Sequence, residues 1–387
     1  MTGDPLSPLS SAARASAGER ERLVSEFVRL CEIESVSKNE RAIADAVTAE
    51  LRGLGLEVSE DWTGSETGSS AGNLLARIPP PEGVARSILL CAHLDTVPVD
   101  GPLEVEEVEG VLRNRNEAIL GADNKAAVAV ILAVARRLVA ERSPVGIEIL
   151  FTTCEELALR GAKAFDVSAL RSEYGYVFDH ATPIGEVIVA APTFFHIEGR
   201  FRGKAAHAGL CPEKGHNAIE AASAAVASVK WGRLDPQTTT NVGRIEGGTA
   251  SNVVAERCYL QCEARSTDHE RAGSVATSVV DAMTEAASDR ECDLEIHVEE
   301  LFRSYKVQRT ALPVEVASRA LADVGIEPQP ISTGGGSDAN VFQARGFQCV
   351  NLANGTKNAH QPDESVTVDA LETMLDVALG LVRHSAE

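Results

Sequence analysis

Hydrophobic positions follow two different periods along this chain, and the change of period predicts where helices and strands lie. Apolar residues recur at helical spacing over residues 19–30, and Ser37-Lys38-Asn39-Glu40 has the pattern of a capping box for a second helix that ends near Gly53. Short apolar runs typical of strands buried on both faces follow. They cover residues 73–78, 87–92, 146–153, 174–178 and 186–190. The strongly helical residues 124–142 lie between two of these runs, which is the order of an α/β sheet.

A different pattern begins near Thr193, where residues 194–202 alternate apolar and polar side chains as a half-exposed antiparallel strand does. The segments that follow predict helices at 217–230 and 269–287 and strands at 240–245, 253–264 and 292–298. This βαββαβ order predicts a small ferredoxin-like α+β domain. The α/β pattern returns after Tyr305, with helices at 313–324, from 338 and from 368 and a strand at 348–352. Residues 194–305 are therefore predicted to be inserted in a larger domain of residues 18–193 and 306–387, with residues 1–17 as a disordered tail.

Composition and charge narrow the class of protein. Of the 387 residues 44% are hydrophobic, which suits a globular chain with a sizeable core. The formal net charge of −21 disfavours nucleic acid and anionic membranes as partners. The longest apolar run, residues 126–135, is too short to span a bilayer, and the N-terminus lacks the features of a secretory signal. Together with eight scattered cysteines that have no CxxC spacing, this predicts a cytoplasmic protein with reduced thiols.

Acidic and imidazole side chains follow the ends of four predicted strands, and one more opens the long helix. In an open α/β sheet such positions can meet in one crevice at the carboxyl ends of the strands. Carboxylates and imidazoles gathered there would repel each other and resist burial unless cations neutralised them. Nitrogen and oxygen ligands without thiolate favour zinc, with manganese or cobalt as possible substitutes, and two divalent ions would roughly balance three carboxylates. The residues concerned are His93, Asp95, Asp123, Glu155, Glu156, Asp179 and His360.

Finer spacing suggests different roles within this set. In extended backbone, residues i and i+2 point the same way, so the Asp95 carboxylate could lie behind His93 and orient its ring. Neighbouring residues point apart, so Glu155 and Glu156 would not share one task. One of the two is expected to bind metal, and the other to act as the general base.

Seven motifs follow one another along the chain. They are CAHLDTVP (91–98), ILGADNKAAVA (119–129), FTTCEELALRGAKA (151–164), GYVFDH (175–180), GKAAHAG (203–209), EARS (263–266) and GGGSDANVF (334–342). In this order they resemble the M20 metallopeptidases, and among them the peptidase T-like branch, and the resemblance extends from about Gly18 to Val382. It implies a zinc-exopeptidase-like mixed sheet flanked by helices, with the inserted ferredoxin-like domain as a lid and dimerisation domain.

The resemblance also implies the roles of individual residues around two zinc ions. His93 and Asp179 would bind one ion, Glu156 and His360 the other, and Asp123 would bridge both. Asp95 would be the orienting carboxylate and Glu155 the base, and the peptide bond after Asp123 would be cis. The chain departs from the common family pattern at Asn124, Cys154, His180 and Ala255 without losing any of the five metal ligands.

Substrate contacts are expected in the inserted domain. The resemblance gives this role to His207, Asn252 and Arg265, with His207 reaching into the partner subunit of a homodimer. His207 could instead be a simple strand-end histidine, and Arg265 could pair with a neighbouring carboxylate. The turn around Gly335 lacks a Walker lysine, so it is interpreted as a tight turn lining the substrate pocket rather than a phosphate cradle.

The function expected from these residues is that of a di-zinc metallopeptidase that hydrolyses the amide bond of short peptides, as a tripeptide aminopeptidase does. An N-acyl amino acid amidohydrolase of the same family is the alternative. A relative that binds a peptide or amino acid without cleaving it, and a serine hydrolase using Ser337, are two further hypotheses.

Overall fold

The computed structural model describes residues 14–387. Within them the chain forms two compact units. The first contains the residues up to Val189, Val307–Ile331 and Ser337–Glu387, and the second contains Ala190–Lys306 and Ser332–Gly336.

Strands and helices are numbered here in chain order. The strands are β1 (Val58–Glu60), β2 (Leu74–Ile78), β3 (Ser87–His93), β4 (Val105–Val108), β5 (Val111–Asn114), β6 (Gly146–Thr152), β7 (Tyr174–His180), β8 (Glu186–Ala191), β9 (Thr193–Arg202), β10 (Gly232–Asp235), β11 (Thr238–Gly247), β12 (Arg257–Ser266), β13 (Asp293–Phe302), β14 (Tyr305–Lys306), β15 (Gln329–Ser332), β16 (Cys349–Ala353) and β17 (Ser365–Thr367). The α-helices are α1 (Ala17–Cys31), α2 (Arg41–Gly53), α3 (Thr63–Thr67), α4 (Ala122–Glu141), α5 (Arg160–Ala164), α6 (Ala218–Ser228), α7 (His269–Asp289), α8 (Leu312–Asp323), α9 (Asp338–Ala344) and α10 (Val368–Ser385).

A mixed sheet forms the centre of the first unit, which confirms the predicted fold class. The strand order is β1-β2-β6-β3-β7-β16-β8-β14, with β15 paired to β8. Strands β6, β3, β7 and β16 are neighbours in this order and run parallel. Strand β2 pairs antiparallel with β6, and β8 pairs antiparallel with β16. Every residue of β3 and β6 is buried, as their unbroken apolar runs predict. The parallel strands bring their carboxyl ends to one edge of the sheet, where the predicted ligands follow.

The helices of this unit cover the sheet with apolar faces. Helix α4 is buried around most of its circumference, since fourteen of its twenty residues are alanine, valine, isoleucine or leucine. Helices α1 and α10 pack against α4 and contribute to the same hydrophobic core. A small antiparallel sheet of β17, β5 and β4, which the sequence did not predict, lies beside this core.

The N-terminal region is ordered earlier than predicted. Residues 1–13 of the predicted tail lie outside the described residues, but the Ala15 N–H donates to the Asp376 carboxylate at 2.7 Å. Ser16 and Glu19 form the capping box of α1, which begins at Ala17. The predicted end of the tail at residue 17 therefore lies too far along the chain, because residues 15 and 16 already belong to the start of the folded structure. Their composition alone does not indicate this.

The second unit is an antiparallel sheet with two helices on one face. Its strand order is β10-β11-β12-β9-β13, and α6 and α7 pack on the apolar face of the sheet. Apart from the extra strand β10, this is the predicted ferredoxin-like order. Strand β12 begins at Arg257 rather than at Val253, because Val253 forms only an isolated bridge with His207.

No helix of residues 14–387 is both long and apolar enough to span a membrane.

Candidate metal centre

The ends of the parallel strands bring the predicted ligands together in the first unit. His93 is the last residue of β3, and Asp179 lies near the end of β7. Glu155 and Glu156 follow β6, and His360 lies in the segment after β16. Asp123 lies at the start of α4, where its backbone is not helical and its peptide bond to Asn124 is cis, as the resemblance implied.

Two groups of three side chains meet at Asp123. His93, Asp123 and Asp179 form the first group, and Asp123, Glu156 and His360 form the second. Within each group the potential ligand atoms all lie within 4.8 Å of one another. Nε2 of His93 lies 3.4 Å from Oδ1 of Asp123 and 3.4 Å from Oδ1 of Asp179. Nε2 of His360 lies 2.8 Å from Oε1 of Glu156 and 3.4 Å from Oδ2 of Asp123.

The hydrogen bonds of this cluster fit a cation better than they fit the side chains alone. Nδ1 of His93 lies 2.9 Å from the Asp95 carbonyl oxygen, so Nδ1 carries the proton of a neutral ring. Nε2 then presents a lone pair to two carboxylates, which are also acceptors. Oδ1 of Asp123 is buried and has no hydrogen-bond partner. A divalent ion would satisfy both atoms, so the residues present fit metal ions.

The pKa shifts of the cluster also arise from carboxylates and imidazoles that are buried close together. Burial opposes a charge on His93, but Asp179 and Asp123 raise the pKa of the ring well above its usual value. Hydrogen bonds to Asp123 and Glu156 raise the pKa of His360 to about 10. Burial raises the pKa of Asp179 to about 7. The carboxylates of this cluster therefore favour positive charge beside them, which a bound cation would supply.

Asp95 contributes differently from the spacing-based prediction. Its carbonyl oxygen, rather than its carboxylate, makes the short contact with the His93 ring, and Oδ1 is 3.6 Å from Nδ1. Its carboxylate instead accepts the N–H of Glu155 at 2.9 Å and the N–H of Glu156 at 3.1 Å. Asp95 lies beyond the end of β3, and its carboxylate is directed to the backbone of the glutamate pair rather than to the ring. Asp95 thus holds both the ring and the backbone of the glutamate pair.

The two glutamates lie in a turn rather than in extended backbone, so both approach the same histidine. Potential ligand atoms of His93, Glu155 and Glu156 lie within 4.8 Å of one another. Burial, and then the charge of Asp179, raise the pKa of Glu155 well above its usual value. Cys154, immediately before the pair, has a φ of 51°, a left-handed conformation that non-glycine residues adopt mostly where surrounding contacts enforce it.

Ser37 and Glu40, which were predicted to cap α2, support this turn instead. The Ser37 hydroxyl donates to Oδ2 of Asp95 at 2.7 Å. Oε1 of Glu40 accepts the N–H of Cys154 at 3.0 Å, and Oε2 accepts the Ser69 hydroxyl. The capping box is therefore wrong, because the side chains that can cap a helix can equally bind a distant loop. In the sequence, only the position of Ser37 and Glu40 before a helix indicates that these two side chains have a structural role.

The glycine-rich turn leads into another buried acid. Oδ2 of Asp338 accepts the Thr152 hydroxyl at 2.5 Å, and burial raises the pKa of Asp338 to about 6. Ser337 is buried, and its side chain accepts the N–H of Asn340 as the cap of α9. This engagement argues against Ser337 as a nucleophile.

The predicted substrate contacts all lie in the second unit and form two pairs. The Asn252 carbonyl accepts the Ala208 N–H at 3.0 Å, so His207 and Asn252 are close in the structure, and both side chains are exposed. Nδ1 of His207 accepts the N–H of Gly209 at 3.2 Å. The proton of a neutral His207 ring is therefore on Nε2.

Arg265 and the turn of Gly335 form the second pair. Arg265 makes two hydrogen bonds of 3.1 Å to the Glu263 carboxylate, so the alternative of an ion pair is observed. A third hydrogen bond reaches the Gly334 carbonyl at 3.2 Å, and the guanidinium stacks 4.0 Å from the centre of the Phe194 ring. The Gly335 N–H donates to the Thr333 hydroxyl at 3.2 Å.

Comparison with known proteins identifies the family. The family model described as peptidase family M20/M25/M40 matches residues 89–384. The crystal structure of aminopeptidase PepT from Bacillus cereus is 36% identical, with a TM-score of 0.88, and the alignment covers 95% of this chain and 99% of that one. A tripeptidase from Staphylococcus aureus is 30% identical with a TM-score of 0.90, covering 95% and 98%.

A curated relative extends the comparison. The peptidase T-like protein RB0614 of Rhizobium meliloti is 28% identical over 95% of this chain and 99% of its own length. The resemblance drawn from the seven motifs is thereby confirmed. The chain belongs to peptidase family M20/M25/M40, in its peptidase T-like branch, and is a metal-dependent hydrolase.

Proposed function

We propose that this chain is a di-zinc aminopeptidase that hydrolyses an amide bond of short peptides, tripeptides above all. The observation that carries the proposal is the pair of three-residue groups sharing Asp123, which offers two adjacent places for divalent ions. The relatives named an aminopeptidase and a tripeptidase support peptides as the substrate class.

The donor set supports zinc as the metal. His93 and Asp179 would hold one ion, Glu156 and His360 the other, and Asp123 would bridge them. Neutral imidazole nitrogens and carboxylate oxygens without thiolate suit zinc, and manganese or cobalt could substitute. When bound, such ions polarise a carbonyl group and lower the pKa of water from 15.7 to about 7.

Glu155 is the proposed general base. Its buried carboxylate lies beside the ligand cluster, and its raised pKa makes it a stronger proton acceptor than an exposed glutamate. Glu155 would take a proton as the water oxygen bonds to the carbonyl carbon of the substrate. The same proton would pass to the amine nitrogen when the C–N bond breaks. Asp95 would keep Glu155 in place through its backbone N–H.

The second unit would supply the substrate contacts. Nε2–H of His207 is a donor suited to the oxyanion that develops on the carbonyl oxygen. Arg265 uses three of its five N–H groups in the observed hydrogen bonds, which leaves two for a substrate carboxylate. Asn252 and the turn of Gly335 would complete the binding surface.

We also propose a homodimer formed through the second unit, with His207 entering the site of the partner. The apolar side chain of Leu210, three residues after His207, is 80% exposed, and those of Ile219 and Val253 in the same unit are also exposed. Such side chains are suited to a subunit interface. A cytoplasmic location is supported by eight free cysteines, all in the described part of the chain.

An activity screen tests the substrate class. Chelator-treated protein is supplied with zinc, manganese or cobalt and offered tripeptides, dipeptides and N-acyl amino acids. We expect the fastest hydrolysis with tripeptides that have a free amino end, and no activity without metal. Faster hydrolysis of N-acyl amino acids would identify a deacylase instead. Metal binding without hydrolysis of any member would indicate a binding protein.

A further inference from the structure

A buried glutamate that no predicted role includes contacts the segment that carries Asp123. Glu364 lies four residues after His360, and its side chain is only 1% exposed. Its Oε2 accepts the backbone N–H of Leu120 at 2.8 Å and that of Gly121 at 2.7 Å. Its Oε1 accepts the backbone N–H of Asp123 at 2.9 Å. One carboxylate therefore binds three N–H groups of a single turn.

These N–H groups need an acceptor from outside the helix. The first N–H groups of a helix have no partner within it, and here the backbone around Asp123 departs from helical geometry. A buried carboxylate without partners would be very unfavourable, whereas three N–H donors stabilise it. Glu364 and the turn thus stabilise each other, and the position of the Asp123 backbone depends on Glu364.

The same residue also belongs to the segment that carries His360. The Gln361 N–H donates to the Asn358 carbonyl at 3.1 Å, and the Glu364 N–H donates to the Gln361 carbonyl at 3.0 Å. These bonds make a compact turn with His360 inside it. Since Nε2 of His360 lies 3.4 Å from Oδ2 of Asp123, Glu364 joins the two segments on which two ligands of one group are placed.

Lys125 fixes the Asp123 turn from another direction. Its ammonium group is buried and donates to the Ile33 carbonyl at 2.6 Å. The backbone N–H of Lys125 donates to the Gly121 carbonyl at 3.3 Å. The Asp123 segment is thus bound by Glu364 and, through Lys125, by the Ile33 carbonyl.

We propose that Glu364 is a positioning residue that sets the distance between Asp123 and His360 and thereby the affinity for the metal ion held by Asp123, Glu156 and His360. The proposal rests on the proposed function, because it takes these three residues to be metal ligands. Groups that orient metal ligands typically contribute 10- to 100-fold in metal affinity or activity.

Glu364→Gln tests this with little change in shape. The amide keeps one oxygen, which can still accept from Leu120 and Gly121. Its NH₂ group would face the N–H of Asp123, and two donors cannot bond to each other. We expect the ion held by Asp123, Glu156 and His360 to bind roughly 10- to 100-fold less tightly than in the wild type.

Glu148→Gln is the matched control. Glu148 is 2% exposed, and its Oε2 accepts the N–H groups of Arg171 and Ser172, each at 2.8 Å. It is therefore also a buried carboxylate that binds backbone N–H groups, but it belongs to neither ligand group. Its substitution should lower the melting temperature while leaving metal affinity and kcat/KM as in the wild type.

The measurement is calorimetric titration of chelator-treated protein with Zn²⁺ and with Co²⁺, together with the rise in melting temperature that each ion produces. Glu364→Asp, which keeps both oxygens on a shorter side chain, serves as a second variant should Glu364→Gln not fold. Weaker binding in a Glu364 variant but not in Glu148→Gln supports the proposal. Wild-type affinity in the Glu364 variants, or equal weakening in Glu148→Gln, would overturn it. A wild-type protein that binds neither ion would instead refute the proposed function.

Discussion

The candidate metal cluster of the first unit and the proposed substrate contacts of the second unit are built in different ways. His93 is 2% exposed, and the backbone around the cluster is bound by buried carboxylates such as that of Asp95. His207 and Asn252, in contrast, are exposed, and backbone hydrogen bonds join the two short loops that carry them. The first region is therefore supported by buried side chains, whereas the second keeps exposed polar groups on its surface.

This difference predicts that substitutions in the two regions have different effects. Substitutions of the proposed ligands, or of the buried groups that support them, should change how metal is held. Substitutions in the second unit should change turnover or substrate affinity while the metal content stays the same. The predictions below test this separation.

Glu155→Gln should have the largest effect on turnover. The amide cannot take a proton, so kcat should fall by about 10²- to 10⁴-fold, while both metal ions are retained because Glu155 is not a proposed ligand. Steady-state kinetics and metal analysis of the same preparation check this, with the exposed Glu57→Gln as the control. A near-native rate for Glu155→Gln would remove its assignment as the base.

His207→Ala should lower kcat by about 10²- to 10³-fold without any loss of metal, because an oxyanion donor is removed from the second unit alone. The control is His297→Ala, because His297 is 62% exposed on β13 of the same unit. Its kcat and metal content should equal those of the wild type. Loss of metal from His207→Ala would contradict the separation of the two regions.

Asp95→Asn should weaken metal binding and activity by roughly 10- to 100-fold. One carboxylate oxygen becomes an NH₂ group that cannot accept from the Glu155 or Glu156 N–H. Ser37→Ala removes only the hydroxyl that donates to Asp95 and should have a smaller effect. Metal titration compares the affinities of the two variants. A larger loss of affinity in Ser37→Ala than in Asp95→Asn would show that Asp95 is not the main support of the metal ligands.

Arg265→Lys should have the smallest effect, raising KM about tenfold with kcat and metal content unchanged. Lysine cannot make the paired hydrogen bonds to Glu263 or stack on Phe194 as the guanidinium does. The exposed Arg233→Lys in the same unit is the control. An unchanged KM for peptides with a free carboxylate would exclude Arg265 from binding that group.

The sequence predicts the sheet well because the sheet depends on strong local patterns, and the structure brings six of the seven predicted residues of the site close together. Buried parallel strands appear as unbroken apolar runs, and residues at their carboxyl ends meet through the topology. The direction of a side chain within a turn is not a local property. The glutamate pair therefore makes contacts that extended backbone would not give, because both residues lie in a turn whose backbone is bound by the Asp95 carboxylate.

Supporting residues are the part that could not be predicted. Glu364 is one of 57 acidic residues, and no spacing distinguishes a carboxylate that turns inward to bind backbone N–H groups from one that remains in solvent. Ser37 and Glu40 did carry a pattern, but that pattern has more than one structural solution. Such contacts join segments far apart in the chain, and only the folded structure reveals them.

Metal content per chain tests the central claim most directly. Elemental analysis of zinc-saturated, dialysed protein should give two ions per chain for the wild type and a lower value for His93→Ala and for His360→Ala, since each loses a proposed ligand. A wild type that holds one ion or none, or histidine variants that keep the full wild-type content, would contradict the account of two ions held around Asp123.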